Sequence, residues 1–336
     1  MLYYVCLFLW GYLLLHRKRK WVPALVSMAM MVAVFVLTFR PVCGLTCRFL
    51  SVGQGDCTVL QYGQETYVVD CGSTSESNVA DNILLPCLKY YGISEVDGVF
   101  ISHADGDHMN GILQWLTTYE HSHVKIGRIV LPSLGKEALE QEFGELLRSA
   151  ETLDIPVTTL GAGDSLQMGK LGLEVLHPVK HCVDVEDANG YSQVLLFTYQ
   201  GHGILLTGDI GAEQEMALLE KLSEVQERTQ YNVQKSSKDA KLNALNTGWN
   251  IAVLKAAHHG SKYSNSSEFL QAAMPEHIIL SYGVGNSYGH PHADAVARMK
   301  EINAELWYTG RHGAIMVEIN GEIEVRSWGD PTGGGK

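Results

Sequence analysis

The 336-residue sequence has no acidic side chain in its first forty residues. It also has no cysteine pair with zinc-finger spacing: its seven cysteines fall at 6, 43, 47, 57, 71, 87 and 182. An odd count gives no closed disulfide framework, so the fold must rest on its own core. Cys43 and Cys47 are close enough to pair or share a metal, but they read better as small residues of a stretch beside a membrane. Proline is scarce at 9, and apart from the PTGGGK ending at 331–336 there is no low-complexity tract and no short internal repeat. Long disordered segments are thereby disfavoured. The body also lacks a basic excess. Past residue 40 it holds 20 Lys and Arg against 37 Asp and Glu, a net of −17. That balance argues against tight non-specific binding to nucleic acid, which draws affinity from basic contacts to phosphate. A bound metal would add local positive charge and weaken the objection.

Apolar residues make up 46% of the chain, enough for a sizeable core. The length allows one large domain of roughly 250 residues and an extra segment. That segment is the N-terminus. Residues 1–15 (MLYYVCLFLWGYLLL) and 21–39 (WVPALVSMAMMVAVFVLTF) are apolar, and RKRK at 17–20 separates them. A spanning helix needs about 20 residues. The second run meets this and the first is short. Basic clusters stay cytoplasmic, so residues 1–40 are expected to form a membrane-anchoring helical hairpin whose ends face outward. A cleaved signal peptide is the competing reading. The long apolar run, the following Arg40 and the missing small-x-small cleavage site oppose it.

From residue 45 the pattern alternates strand and helix in two similar halves, which predicts a layered α/β sandwich over 45–328. Helices are expected over 79–91, 109–118, 136–153, 212–226, 265–273 and 292–303. HVKIGRIVLP at 123–132 reads as one strand, 227–248 as a polar surface insertion and 329–336 as a flexible tail.

The strongest chemical signal is His103-Ala104-Asp105-Gly106-Asp107-His108, four potential ligands in six residues directly after a buried strand. Imidazole and carboxylate donors suit Zn²⁺, Mn²⁺ or Fe²⁺. Six residues do not easily wrap one ion with four side chains, so two adjacent ions explain the density better. A polar loop with incidental histidines is the bland alternative. Two further strand ends weigh against it: LLTGD ends in Asp209, and LKAAHHGS carries His258 and His259. The histidines at 121, 123, 177 and 181 read as ordinary loop residues, and Cys57 and Cys71 as core.

Taken in order, FLSVGQGD (49–56), VVDCG (68–72), ILLPCLKYYGI (83–93), HADGDH, LLTGD, LKAAHHGS and NSYGHPH (286–292) resemble the metallo-β-lactamase-fold hydrolases. Within them the set is most similar to the C-terminal domain of the ComEC-type competence proteins, which take up DNA. The resemblance covers about 45–325. It implies a metallo-β-lactamase-type αββα sandwich, here preceded by the transmembrane hairpin, and one or two divalent ions, zinc or manganese. It implies His103 and Asp105 at one metal, Asp107, His108 and one of His258/His259 at the other, and Asp209 bridging. His259 is favoured as the ligand, with His258 touching substrate or supporting the ligands. Asp56 would order the metal loop by hydrogen bonding. His290 would protonate a leaving group or contact phosphate, and His292 has a weaker claim. Asp107, Asp209, His258 and His290 are thus the expected catalytic groups.

Three departures matter. Asp105 stands where many superfamily members have His. Asn189 and Ser192 lie where a ligand precedes the LLTGD strand. Ser51 replaces the family's first Asp. The implied activity is a metal-dependent nuclease or phosphodiesterase outside the membrane, cutting one strand of DNA during uptake, the chain being either a detached C-terminal piece of a channel protein or the partner of a separately encoded channel. Two alternatives stay open: an extracytoplasmic esterase or phosphodiesterase on small or cell-wall substrates, and a non-catalytic metal- or DNA-binding module.

Overall fold

In the computed structural model the chain divides into two units, Met1–Pro41 and Val42–Lys336. The structure describes residues 11–12, 22–38, 44–183, 187–219 and 250–328. The expected insertion at 227–248, the tail at 329–336 and nearly all of the hairpin's first arm lie outside the described residues. In the first unit the described helix is Val22–Thr38, 17 residues without a charged side chain. At 1.5 Å per residue it is about 25 Å long, short of a hydrocarbon core of about 30 Å. No described helix is long and apolar enough to cross a membrane.

The second unit is built on two sheets. The first contains β1 (Leu45–Phe49), β2 (Cys57–Tyr62), β3 (Glu65–Cys71), β5 (Gly98–Phe100), β7 (Ile129–Pro132), β8 (Val157–Leu160), β16 (Ile315–Ile319) and β17 (Ile323–Ser327), in the order β17-β16-β1-β2-β3-β5-β7-β8. The second contains β9 (Ser165–Met168), β10 (Leu171–His177), β11 (Val194–Tyr199), β12 (His202–Leu206), β13 (Ile251–Lys255), β14 (His277–Leu280) and β15 (Glu305–Tyr308), in the order β15-β14-β13-β12-β11-β10-β9. β4 (Glu95–Val96) and β6 (Lys125–Ile126) make a small ladder of their own.

Three apolar clusters define the layers. Phe49, Val69, Phe100 and Val317 of the first sheet meet Val175, Phe197, Ile204 and Trp307 of the second, which forms the sandwich core. On the outer face of the first sheet lie Ile112 and Trp115 of the helix Gly106–Thr117 and Phe143 and Leu146 of the helix Lys136–Thr152. Over the second sheet lie Phe269 and Leu270 of the helix Ser267–Ala273 and Ala295 and Met299 of the helix Ala293–Glu301. The architecture is αββα. Strands covered on both faces read as unbroken apolar runs, and all five residues of β13, IAVLK, are buried.

One expectation needs correction. The segment 123–132 is not one strand. Gly127 interrupts it, with its N–H bonded to Val96 O at 2.8 Å, and a Cβ there would lie 2.8 Å from Asp97 O. The first sheet does not follow sequence order. The last two strands return to the first sheet, where β16 lies antiparallel to β1 with Leu45 opposite Ile319 and Phe49 opposite Ile315. Cys47 is therefore a core residue of β1.

The parallel strands β3, β5, β7 and β8 share one direction, as do β12, β13, β14 and β15. The loops leaving β5, β12 and β13 carry the candidate ligands, and the loop leaving β14 carries His290 and His292, as expected at the carboxyl ends of parallel strands.

Candidate metal centre

The loop after β5 is held by Asp70 at the end of β3. Asp70 accepts from Ser102 N at 2.7 Å and from Ser102 Oγ at 2.8 Å, and its Oδ2 lies 2.9 Å from His108 Nδ1. Asp105 then starts the helix Gly106–Thr117, which places Asp107 and His108 in its first turn. The backbone at this point packs against Gly72, where a Cβ would come within 2.3 Å of His108 N. No larger residue fits there without moving the loop. From the other side, Asp56 N donates to Asp107 O at 3.0 Å.

Side chains from four loops converge. His108 Nε2 is 3.2 Å from Asp209 Oδ1, and His259 Nε2 is 3.4 Å from Asp209 Oδ2 and 3.3 Å from Asp107 Oδ2. The His103 and His108 rings lie 4.2 Å apart, and those of His108 and His259 5.3 Å. Behind them, His259 Nδ1 meets Ser281 O at 3.0 Å. An Nδ1–H given to oxygen at the back turns each Nε2 lone pair toward the centre. The Asp56 carboxylate lies 3.7 Å from both His108 Nδ1 and His259 Nδ1. Ligand atoms of Asp56, His108, Asp209 and His259 all lie within 4.8 Å of one another. Of the four, Asp56 faces the rear nitrogens and braces the rings.

His258 and His259 both adopt left-handed backbone, with φ of 49° and 52°. Such conformations cost non-glycine residues roughly 1–3 kcal/mol each and collect at functional sites. Asn265 pins the loop: it accepts from Ala257 N at 3.0 Å and donates to Ala257 O at 2.9 Å.

Lys255 is the residue that sequence reasoning missed. It ends β13, is 3% exposed and contacts Asp56 as a close ion pair; its Nζ is also 3.6 Å from Asp209 Oδ1 and 3.3 Å from Gly208 O. Burial alone would depress its pKa, but the Asp56 and Asp209 charges raise it. The same attractions act on the partners. Burial opposes charge on Asp209, yet His259, His108 and Lys255 hold its pKa well below the ordinary value. Burial works against Asp107 too, and His259 and His108 lower it. His108 and His259 are raised against burial, by Asp209 with Asp70 and by Asp209 with Asp56 respectively. His258 and His290 go the other way. Burial and the nearby positive imidazoles lower both, His290 to about 4.

His103, Asp107, His108, Asp209 and His259 are thus brought together. His258 stands at the edge, its Nε2 3.8 Å from Asp209 Oδ2, and the His290 ring lies 5.4 Å from the His258 ring and 6.1 Å from the His259 ring. Asp105 is half exposed, with Oδ2 3.6 Å from His103 Nε2. His292 caps the helix Ala293–Glu301. Ser192 accepts from Asp209 N at 3.2 Å, so it braces Asp209 from the backbone side. His177 Nδ1 meets Ser192 O at 2.9 Å, behind that contact. An apolar cavity of about 430 Å³ lies elsewhere, beside Arg48, Tyr90, Tyr91 and Trp328, and holds none of these groups.

The superfamily described as "Metallo-beta-lactamase superfamily" matches residues 50–284, and the chain belongs to it. Among curated proteins the chain is 26% identical over 288 residues to ComE operon protein 3 of Bacillus subtilis, covering 82% of this chain and 33% of that one. It is 26% identical over 265 residues to Competence protein ComA of Neisseria gonorrhoeae, covering 78% and 30%. The chain therefore spans about a third of the length of the curated relatives it matches. Among solved structures it is similar to the metallo-beta-lactamase fold protein YhfI of Bacillus subtilis, with 14% identity, TM-score 0.47, and coverage of 79% of this chain and 96% of that one.

The fold implies divalent metal, and the residues fit one. His103 Nε2, His108 Nε2, His259 Nε2 and Asp209 Oδ1 are buried without a hydrogen-bond partner among the described residues. Buried polar atoms are seldom left unpaired. The His108 and His259 Nε2 atoms converge with the Asp209 carboxylate, and the His103 ring lies beside His108. Imidazole nitrogens with a carboxylate oxygen form the donor set of a divalent metal.

Proposed function

We propose that this hydrolase is a metal-dependent phosphodiesterase that cuts DNA at the outer face of a cell membrane during uptake for transformation. The observation that carries the hydrolytic part is the convergence of two unpartnered imidazole Nε2 atoms, those of His108 and His259, on the Asp107 and Asp209 carboxylates. Similarity to a competence protein favours DNA as the substrate. The mixed nitrogen and oxygen donors suit zinc or manganese. His103, Asp107, His108, Asp209 and His259 would hold the metal, with Asp105 beside His103 serving a second ion. Once bound, such an ion supplies Lewis acidity and a water of pKa about 7.

The chain's own groups do the rest. Asp107 and Asp209 accept hydrogen bonds from the attacking water and orient it. His258 and His290 are neutral at pH 7, and a neutral imidazole still has one N–H to give. Each can donate to a phosphoryl oxygen, so a phosphate contact fits His290 better than transfer of a proton from an imidazolium. The apolar runs at 1–15 and 21–39 around RKRK support anchoring with both ends outward, and a separate channel-forming membrane protein would carry the surviving strand. The acidic body favours a second reading, an extracytoplasmic esterase or phosphodiesterase acting on small or cell-wall substrates.

The test uses the full chain in detergent, loaded with manganese or zinc, against single-stranded DNA, duplex DNA and a small phosphodiester. DNA cleavage that falls at least about 100-fold in Asp107→Asn, with circular dichroism unchanged, is the expected result. Activity confined to the small ester would favour the second reading. No metal and no turnover would mean a binding module.

A further inference from the structure

The loop Gly283–His292 forms one wall beside the candidate centre, and it is stiff. Asn286 Nδ2 donates to Gly283 O at 2.8 Å and to His290 O at 2.6 Å. Asn286 Oδ1 accepts from Tyr288 N at 3.1 Å and His290 N at 3.0 Å. Both ends of the loop are tied to the body: Gly283 N donates to Gln54 Oε1 at 3.3 Å, and His292 N to Gly260 O at 2.9 Å. Tyr288 projects from this braced turn, 58% exposed. Its ring lies nearly parallel to that of His290, with an interplanar angle of 21° and centroids 5.8 Å apart. The His290 ring is 6.1 Å from the His259 ring, so Tyr288 and His259 are at most about 12 Å apart.

Core packing does not explain a large aromatic ring held in water. Its backbone is fixed, so little conformational freedom remains to be lost when something stacks on it. A flat, exposed π face next to a phosphodiester-cleaving centre is the element that single-stranded nucleic-acid sites use to hold bases, and it is indifferent to sequence because every base has a π face. A base inside a duplex is already stacked and cannot use it.

We propose that Tyr288, backed by His290, is a stacking platform for the unpaired base flanking the scissile phosphate, and that it sets a preference for single-stranded over duplex DNA. The inference rests on the nuclease reading above. It assigns Tyr288 to substrate positioning, while the metal cluster does the chemistry.

The test compares two strands of equal length, one bearing bases and one built of reduced abasic sugars, cut by the metal-loaded full chain. Stacking of one base should make the base-bearing strand the faster by about tenfold. Tyr288→Ala should bring the ratio of the two rates to about one, and Tyr288→Phe, which keeps the ring, should retain it. Equal rates on both strands in the unaltered chain, or a ratio that survives Tyr288→Ala, would overturn the platform and leave the nuclease reading standing. Failure of the unaltered chain to cut any strand would overturn both.

Discussion

His258 and His259 are neighbours in the chain with the same left-handed backbone, yet their side chains meet different surroundings. His259 is buried, with Nδ1 against Ser281 O and Nε2 aimed between Asp107 and Asp209. His258 is partly exposed, and its Nε2 comes no nearer than 3.8 Å to Asp209 Oδ2. Two like residues therefore have separable roles. His259→Ala should reduce metal affinity more than the 10–100-fold typical of a group that merely supports a ligand. His258→Ala should leave affinity within about tenfold and slow turnover instead. Titration with a fluorescent metal indicator reads the first effect, and equal losses of affinity in the two variants would count against the assignment. Lys255 belongs to the same scale. A buried lysine is tolerated only when paired, and its contacts with Asp56 and Asp209 offset part of the negative charge that would otherwise collect there.

Glu215 shows how whole elements are tied around the centre. Its carboxylate accepts from Asn265 N in a very short contact and from Ser266 N at 2.8 Å, at the start of the helix Ser267–Ala273. Asn265 in turn pins Ala257 beside the two histidines. Burial raises the Glu215 pKa by more than those N–H donors lower it. A carboxyl with a raised folded-state pKa contributes stability that is full below its ordinary pKa and is lost as pH rises through the raised one. The stability of the unaltered chain relative to Glu215→Gln should therefore fall as pH rises above the ordinary value of 4.5. Urea unfolding of both chains across that rise measures it, and a difference that is flat or grows with pH would refute the shift. Much at this scale was legible in the sequence. The amphipathic run at 136–153 is the helix Lys136–Thr152, and LLTGD and LKAAHHGS end strands as read. What was hidden depends on partners distant in sequence. The return of β16 to β1 and the grip of Asn265 on Ala257 leave no local periodicity. Lys255 looked like any charged residue ending a strand, because nothing local shows that Asp56, 199 positions earlier, will face it.

Across the whole molecule charge is the governing quantity. The body past residue 40 carries a net of −17, and the centre concentrates Asp56, Asp70, Asp107 and Asp209 within it. Without metal, the cluster relies on Lys255 and on imidazoles held partly protonated by their carboxylate neighbours. A divalent ion would replace those protons as counter-charge, satisfy the unpartnered Nε2 atoms and present positive charge to a polyanion that the surface otherwise repels. Binding to the folded chain alone stabilises it by about 2.7 kcal/mol when the free ion is at 100 times its dissociation constant. For a domain of this size that corresponds to a rise in melting temperature of roughly 5 °C. Chelation should reverse the rise, and His259→Ala should abolish it. Ion uptake should release protons from His108 and His259, so the rise should shrink as pH falls and those rings hold their protons more firmly. Scanning calorimetry at pH 6 and pH 8, with and without chelator, tests both statements. A melting temperature indifferent to metal at both values would remove the centre from the binding of metal, and with it the hydrolytic reading.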